Sequence, residues 1–551
     1  MSNAIKTVLS YIKKHLILVV ILAVGWLVNL SFFFPIRGNL GHDVYWHLAL
    51  IEVAFKTFPF QMPILSGASL SGYNYLSDFF MYIIMKLGIP SLYVYFIVIP
   101  FIYVISLTFL VIYFGIRQNK SIHYVAPLTF FVFLATPFSY LLSLYKRGTI
   151  FFGFNYPTAM QSSTALTNLS YALTIPIVLT VLIIFQEKKR TVWQSFLLSV
   201  LVGLAFGLKF YGGVIVLCLV GIHEILLLLK NKNIRNFTVL IGSGVFFIGL
   251  SIVLFYNPFS SVKKAGIFGF APLAIPHNLI EDPDGLYIRQ FVLARYYLVS
   301  LQKFSPRLIT IEGITLIIYL IYNFGTRVIG LLYLAKQFLQ KKFAIFELSL
   351  LATVFISILL TVTLVQRGGD WWNTVQFFGY GLFLFNFFAA STCYELFRRY
   401  KKAAVIIIAV IILMTLPLDM ELIIRAVERL GKPYDISKEE ITALAFLKTQ
   451  KNNGAVFALP VFNSLSNVPA RSGKPVFFAD ETVISNLGID YEARKAMLKD
   501  IININIETLP VRYFYLIKYD TDYKTLFFKI QNSNNIRKIY ENSQVIIFEK
   551  H

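Results

Sequence analysis

Charge is scarce in this chain. Asp, Glu, Lys and Arg make up 14% of its 551 residues, against roughly 25% in soluble globular proteins, which excludes a single solvated globule. The shortage falls on the acids, 28 against 50 Lys and Arg. Cysteine is nearly absent. Cys218 and Cys393 lie in apolar runs with neither pairing nor metal-ligand spacing, which excludes a disulfide framework and a thiolate metal site and leaves both as plain core residues. Internal repeats, low-complexity tracts and the inverted halves of secondary transporters are missing as well.

What the chain has in plenty is apolar and aromatic. Hydrophobic residues reach 57%, with 53 Phe and 32 Tyr. A helix needs about 20 mostly apolar residues to cross roughly 30 Å of hydrocarbon, and such runs recur. The expected spans are 16–34, 91–116, 124–144, 165–185, 192–208, 214–229, 237–255, 309–334, 343–365, 375–394 and 403–418, about eleven in all. The first follows Lys13 and Lys14, but it is too long for a signal-peptide core and no small-x-small cleavage site closes it, so it is expected to stay as an uncleaved helix.

A formal net charge of +22 would suit nucleic acid if it were clustered, but it is spread over short loops. With the N-terminus cytoplasmic, the inner segments hold Lys6, Lys13 and Lys14; Arg117 and Lys120; Lys188, Lys189 and Arg190; Lys230, Lys232 and Arg235; Lys336, Lys341 and Lys342; and Arg398, Arg399, Lys401 and Lys402. Glu187 is their one clear acid. This is the positive-inside pattern, and no nucleic-acid partner is expected. It sends the long loops 35–90, 145–164 and 256–308, and everything after 419, to the outer face.

From 419 the composition turns polar. The short apolar runs 455–461, 475–480, 512–519 and 543–549 read as strands, and Ser437 with Glu440 opens a helix by the capping-box pattern. The expected fold is therefore an α-helical polytopic membrane protein: a transmembrane domain, 1–418, with outer loops 35–90 and 256–308, then a soluble extracytoplasmic α/β domain, 419–551.

Four motifs on the outer face carry chemistry-bearing side chains. In His42-Asp43-Val44-Tyr45-Trp46-His47, an acid at the membrane edge costs free energy to keep without purpose. The competing reading makes it a solvated loop residue or a helix cap ahead of 44–54, with the aromatics as belt residues. Further on, Tyr73, Asn74, Tyr75 and Asp78 precede an apolar segment too short to span, which reads as a helix along the outer interface that roofs a pocket, or as a bare anchor. Lys209, among Gly207, Gly212 and Gly213, falls at the outer end of the fifth span, where it either snorkels to headgroups or meets a phosphate. In the turn after the ninth span, Arg367 and Asp370 either pair or leave Arg367 to an anion, and Trp371 with Trp372 either sit in the belt or stack on a sugar. The loop of His277, Glu281, Asp282, Asp284 and Arg289 lacks EF-hand spacing and its Asp-Pro-Asp-Gly is itself a turn signal, so a divalent metal is not favoured and no metal ligands are assigned.

In this order the pieces resemble the GT-C glycosyltransferases, multi-spanning enzymes that use polyprenyl-phosphate-linked sugars outside the cytoplasmic membrane. Asp43 matches the first-loop acid and 73–87 the amphipathic segment after it. Gly203, Gly207, Lys209 and Phe210 look like the Gly-x-x-x-Gly-x-Lys-aromatic stretch of the protein mannosyltransferase branch. In the tail, "PARSGKPVFFAD" followed by "YEARKAMLKDI" looks like the extracytoplasmic domain of bacterial members. Two departures stand out. Many members carry two adjacent first-loop acids, where His42 and Val44 flank Asp43 here, and a common proline pair is replaced by Tyr73-Asn74-Tyr75.

The resemblance implies sugar transfer from a polyprenyl-phosphate donor to an acceptor at the extracytoplasmic face, by single displacement with inversion. Asp43 is then the base, Lys209 and Arg367 hold the donor phosphate, and His47, Tyr73, Tyr75, Asp78, Asp370 and Trp371 position sugar or acceptor. The partners are the lipid-linked donor, membrane lipids and a glycan, protein or lipid acceptor. The competing functions are a lipid or solute transporter or flippase, and a non-catalytic receptor or scaffold that uses the tail as its binding module. Charges gathered at span ends, with Arg327 and Glu347 expected to snorkel at the inner face, disfavour ion coupling.

Overall fold

The computed structural model describes residues 2–31, 40–153, 156, 158–187, 190–232, 234–256, 268–302, 305–367, 371–429 and 436–551. It is a mostly helical integral membrane protein. Among the described residues six helices are long and apolar enough to cross a membrane, or eight if each of two bent pairs is one span. The six are Ser91–Gln118, Phe210–Asn231, Ile234–Tyr256, Pro306–Gln340, Ile345–Thr363 and Trp371–Arg429; the pairs are Asn3–Lys14 with Leu16–Ser31 and Ile122–Leu134 with Ser139–Arg147.

Each of the expected apolar segments overlaps a helix among the described residues, 124–144 falling on the two bent helices Ile122–Leu134 and Ser139–Arg147, and the lower count has physical causes. Leu169–Phe185 and Val192–Leu208 have 17 residues each, a rise of about 26 Å. The last two expected spans lie in one helical run, Trp371–Arg429, interrupted at Lys401 by a backbone φ of 31°.

Two compact units make up the chain: 1–34, 100–251 and 267–427 in the first, and 35–99, 252–266 and 428–551 in the second. In the first, Val192–Leu208 opens with a capping box between Thr191 and Gln194 and ends at Lys209, whose extended backbone (φ −156°, ψ 122°) turns the chain into Phe210–Asn231. Strands β1 (Phe268–Phe270) and β2 (Leu364–Gln366) pair antiparallel, Phe268 opposite Gln366. Arg327 does not snorkel. It is fully buried, donating to the carbonyls of Asn323 and Phe324 and to Gln161, a partner supplied from far off in sequence.

The second unit holds a four-stranded sheet in the order β3-β4-β6-β5, with β3 Val456–Ala458, β4 Tyr513–Ile517, β5 Ile536–Glu541 and β6 Val545–Lys550. β3 runs parallel to β4 and the other pairs are antiparallel. β4 is buried at all five positions, which is why it reads as a continuous apolar run. The expected strand at 475–480 contributes only a bridge, Val456 to Val476, and β5 is an additional strand of charged edge character. Ser437 and Glu440 form the expected capping box ahead of Lys438–Thr449.

The tail does not close on a core of its own. Trp46, Leu50, Phe55, Ile64 and Leu70 from the first outer loop lie in the same apolar cluster as Leu444, Phe457, Phe477, Phe514 and Ile547. Backbone bonds join the two segments as well: Val476 N–H donates to Pro63, Ser66 N–H to Val476, and Ala479 N–H to Ile64. The compact unit therefore takes in 35–99, a segment the sequence groups with the transmembrane domain.

Candidate active site

The helix Gly41–Val53 begins ahead of Asp43. Leu40 occupies the cap position without a side-chain cap bond, and Asp43 lies in the first turn, where the helix dipole favours negative charge. Its side chain is 78% exposed. The cap reading is thereby removed, and the solvated reading stands, on a helix turn instead of a loop. The belt reading goes too, because Tyr45 and Trp46 are buried. Trp46 meets Tyr73 edge-on, with ring centroids 5.5 Å apart.

One turn on from Asp43, a spacing that shares a helix face, comes His47. Its Nδ1 lies 2.6 Å from Asp78 Oδ1, and both residues are buried. Ser77 Oγ donates to the other carboxylate oxygen of Asp78 at 3.4 Å. The Tyr73 ring lies 6.4 Å from the imidazole. Burial first, then the charges of Asp78 and Asp43, push the Tyr73 hydroxyl well above its ordinary range, so it stays a neutral donor. Asp43, His47, Tyr73 and Asp78 thus belong to one neighbourhood. Tyr75 does not join it: its hydroxyl donates to the Leu254 carbonyl at 2.9 Å and its ring packs on Phe255, Phe55 and Phe60 in the core. That assignment is corrected to packing, since the backbone takes its one polar atom.

Three side chains at this site carry no local signal in the sequence. His42 stands between two carboxylates, with Nδ1 3.4 Å from Asp43 Oδ1 and Nε2 2.8 Å from Asp480 Oδ2. Hydrogen bonding to Asp43 and then to Asp480 outweighs burial and raises the imidazole to about 10, so it is an imidazolium at neutral pH. Arg471, from the short helix Asn467–Ser472, lies over the Tyr45 ring at 5.7 Å. His42 and Asp480 are 438 positions apart, so no spacing rule relates them.

The first unit gathers the expected phosphate ligands. Lys209 Nζ stands 6.0 Å from the Tyr211 ring centre, and the Tyr211 hydroxyl donates to Gln366 Oε1 at 2.6 Å. Gln366 ends β2, and Arg367 follows it. A Cβ on Gly269 of β1 would meet Arg367 Nε at 3.4 Å, so the guanidinium runs along the bare glycine. Tyr211 and Phe268 rings close the corner. Lys209 and Arg367 are therefore both tied to the paired strands β1 and β2, one through Tyr211 and one directly.

Trp371 is only partly exposed and borders a surface pocket with Ala274, His277, Asn278, Glu281 and Asp282. Asp370 lies outside the described residues. The acids nearby are engaged in structure: Arg295 donates to Glu312 at 2.8 Å and Glu281 at 2.9 Å, His277 pairs with Glu312, and Asp282 accepts from the Asp284 N–H in a turn. Among the described residues no group of three or more His, Cys, Asp or Glu is placed to hold a metal.

No family model and no curated protein matches this sequence. Solved structures do. Arabinofuranosyltransferase AftD from Mycobacteria aligns over 97% of this chain and 40% of its own length, at a TM-score of 0.53 and 13% identity. The oligosaccharyltransferase of Archaeoglobus fulgidus aligns over 91% of this chain and 68% of its own, at 0.48 and 11%. A further structure from that organism, AglB with an inhibitory peptide and a dolichol-phosphate, aligns over 92% and 70%, at 0.44 and 11%. The likeness to the arabinofuranosyltransferase shows the fold alone: this chain shares that enzyme's architecture and spans less than half of its length.

Proposed function

We propose that this protein is a GT-C membrane glycosyltransferase that moves a sugar from a polyprenyl-phosphate donor to an acceptor at the extracytoplasmic face, with inversion. The observation that carries the reading is Asp43, an exposed carboxylate in the first turn of its helix, beside a buried His47–Asp78 pair and the His42 imidazolium. The shared fold supports it.

In the transfer, Asp43 takes the proton of the acceptor hydroxyl as the acceptor oxygen bonds to the anomeric carbon. The bond from that carbon to the phosphate oxygen breaks, and its electron pair leaves with the polyprenyl phosphate. Lys209 and Arg367 offset the charge that develops on the phosphate. Tyr73, His47 and Asp78 hold the base side of the reaction in place. Trp371 offers a partly exposed indole face on which a sugar can stack, with Asp370 as its neighbour in sequence. The N-terminus is cytoplasmic and the C-terminal segment after 419 extracytoplasmic, a placement supported by the basic inner loops.

The test uses purified full-length protein with polyprenyl-phosphate sugars and a mixed acceptor pool. The parent should release free polyprenyl phosphate, whereas Asp43→Asn should bind donor and release none. Release by that variant at the parent rate ends the base assignment, and an intact donor with every acceptor turns the reading toward transport.

A further inference from the structure

We propose that Asp480, in the C-terminal segment, is a positioning residue for the catalytic loop: it clamps His42, and through His42 it orients the Asp43 carboxylate. The inference rests on the reading of Asp43 as the base.

The geometry is a carboxylate–imidazole–carboxylate chain. Asp480 is 1% exposed. One of its oxygens lies 2.8 Å from His42 Nε2 and the other 2.9 Å. Ser466 Oγ donates to Asp480 Oδ2 at 3.2 Å, and the Val483 N–H reaches Oδ1 at 3.4 Å, so Asp480 also caps the helix Glu481–Asn486. The backbone at Asp480 is left-handed, φ 52°, ψ 61°. For a residue with a Cβ this conformation costs on the order of 1 kcal/mol and persists where the surroundings over-determine it. The capping bond accounts for an acid here. The His42 contact, made across most of the chain, is what capping does not require.

The ring nitrogens decide the role of His42. A neutral imidazole donates from one nitrogen only, and an imidazolium donates from both. With carboxylates at Nδ1 and Nε2, only the charged ring satisfies the two contacts together. Neither nitrogen is then left to donate to a phosphate, so His42 acts as an aiming device and not as a donor ligand. Asp480 takes the shorter contact and fixes the ring plane; the longer one, 3.4 Å to Asp43, restrains that carboxylate while leaving it exposed. The Arg471 guanidinium over Tyr45 pins the same helix turn from the same C-terminal segment. The tail thereby becomes part of the catalytic apparatus, which sets it apart from a detachable acceptor-binding module.

Two readouts on the full-length protein test this. The first is the ¹³C resonance of His42, assigned by its loss in His42→Gln and followed against pH. The parent ring should stay charged until about pH 10, and Asp480→Asn, which keeps the cap and the size, should move the midpoint down by about one unit or more. An unmoved midpoint overturns the clamp, whatever the activity. The second is polyprenyl phosphate release from a polyprenyl-phosphate sugar pool. Asp480→Asn should lower kcat with KM unchanged and shift the alkaline limb of the pH profile to lower pH, and Asp480→Glu should restore part of both. A uniform loss with no change in profile would mean a merely structural residue. Asp43→Asn at the parent rate would sink the base assignment while the resonance titration still judges the clamp.

Discussion

His47 Nδ1 and Asp78 Oδ1, 2.6 Å apart, join the helix Gly41–Val53 to the helix Leu76–Met85 inside a buried ring of aromatics. The carboxylate accepts from Nδ1–H and so fixes the tautomer and plane of the imidazole one turn below Asp43. Removing one partner strands the other in a site closed to water. Asp78→Ala should therefore cost about 1–3 kcal/mol, read as a lower melting temperature. The apolar pair His47→Phe with Asp78→Leu should cost less than the two single changes added together. Strict additivity in that double-mutant cycle would mean the two side chains are not coupled.

Leu50 is fully buried in the core that also holds Phe457 and Phe514. Leu50→Ala should cost about 2–5 kcal/mol by the usual loss for a buried leucine. The place to see it is the C-terminal sheet: hydrogen exchange of the β4 amides, Tyr513–Ile517, should quicken, although they lie far from Leu50 in sequence. Unaltered protection there, with faster exchange confined to 41–53, would mean the tail carries a separate core.

Legibility in the sequence follows the range of the interaction. The apolar helices, the Ser437–Glu440 cap and the strands at 456–458, 513–517 and 545–550 are set by local periodicity and capping, and the sequence shows them, though not how many of the helices cross a membrane. Asp43 is legible as an acid out of place, and Lys209 as a cation in a glycine-lined corner. His42 is a different case. Its neighbour in sequence is visible, but Asp480 is supplied only when the tail packs onto the first loop, and nothing within ten residues of either signals the other. Tyr75 shows the converse error: a tyrosine near a candidate site reads as functional until its hydroxyl finds a backbone carbonyl.

Lys474 gives the second unit a pH signature. Its ammonium is buried, donating to the carbonyls of Gln450 and Asn452 at 2.8 and 2.5 Å. Burial first, with Lys56 adding, pulls its value down to about 8. The unfolded chain keeps that proton to about 10.4, so between these values the unfolded state binds more protons and this group's contribution to stability rises with pH. Below pH 8 the charged form is held at a cost. Measured as the melting temperature of the parent minus that of Lys474→Met, the difference should move in the parent's favour from pH 7 to pH 9.5. A difference that falls over this range would contradict the depressed value.

Gly212 sets the entry of the helix that follows Lys209. A Cβ there would meet Thr174 Cγ2 and Tyr380 Oη at 2.6 Å, and one on Gly213 would meet the Phe206 ring at 2.5 Å. Contacts this short force the start of Phe210–Asn231 to move, and Tyr211 moves with it, which disturbs its bond to Gln366 beside Arg367. Gly212→Val should therefore weaken binding of polyprenyl phosphate about as much as Lys209→Ala, several-fold on the scale of one charge-assisted contact, even though it removes no charge. Gly221 lies on the same helix with open space around it, and Gly221→Ala should leave binding untouched while raising helix stability by up to about 1 kcal/mol. If Gly212→Val binds like the parent, the corner does not position Lys209; if Lys209→Ala binds like the parent, the phosphate has another ligand and the glycines serve packing alone.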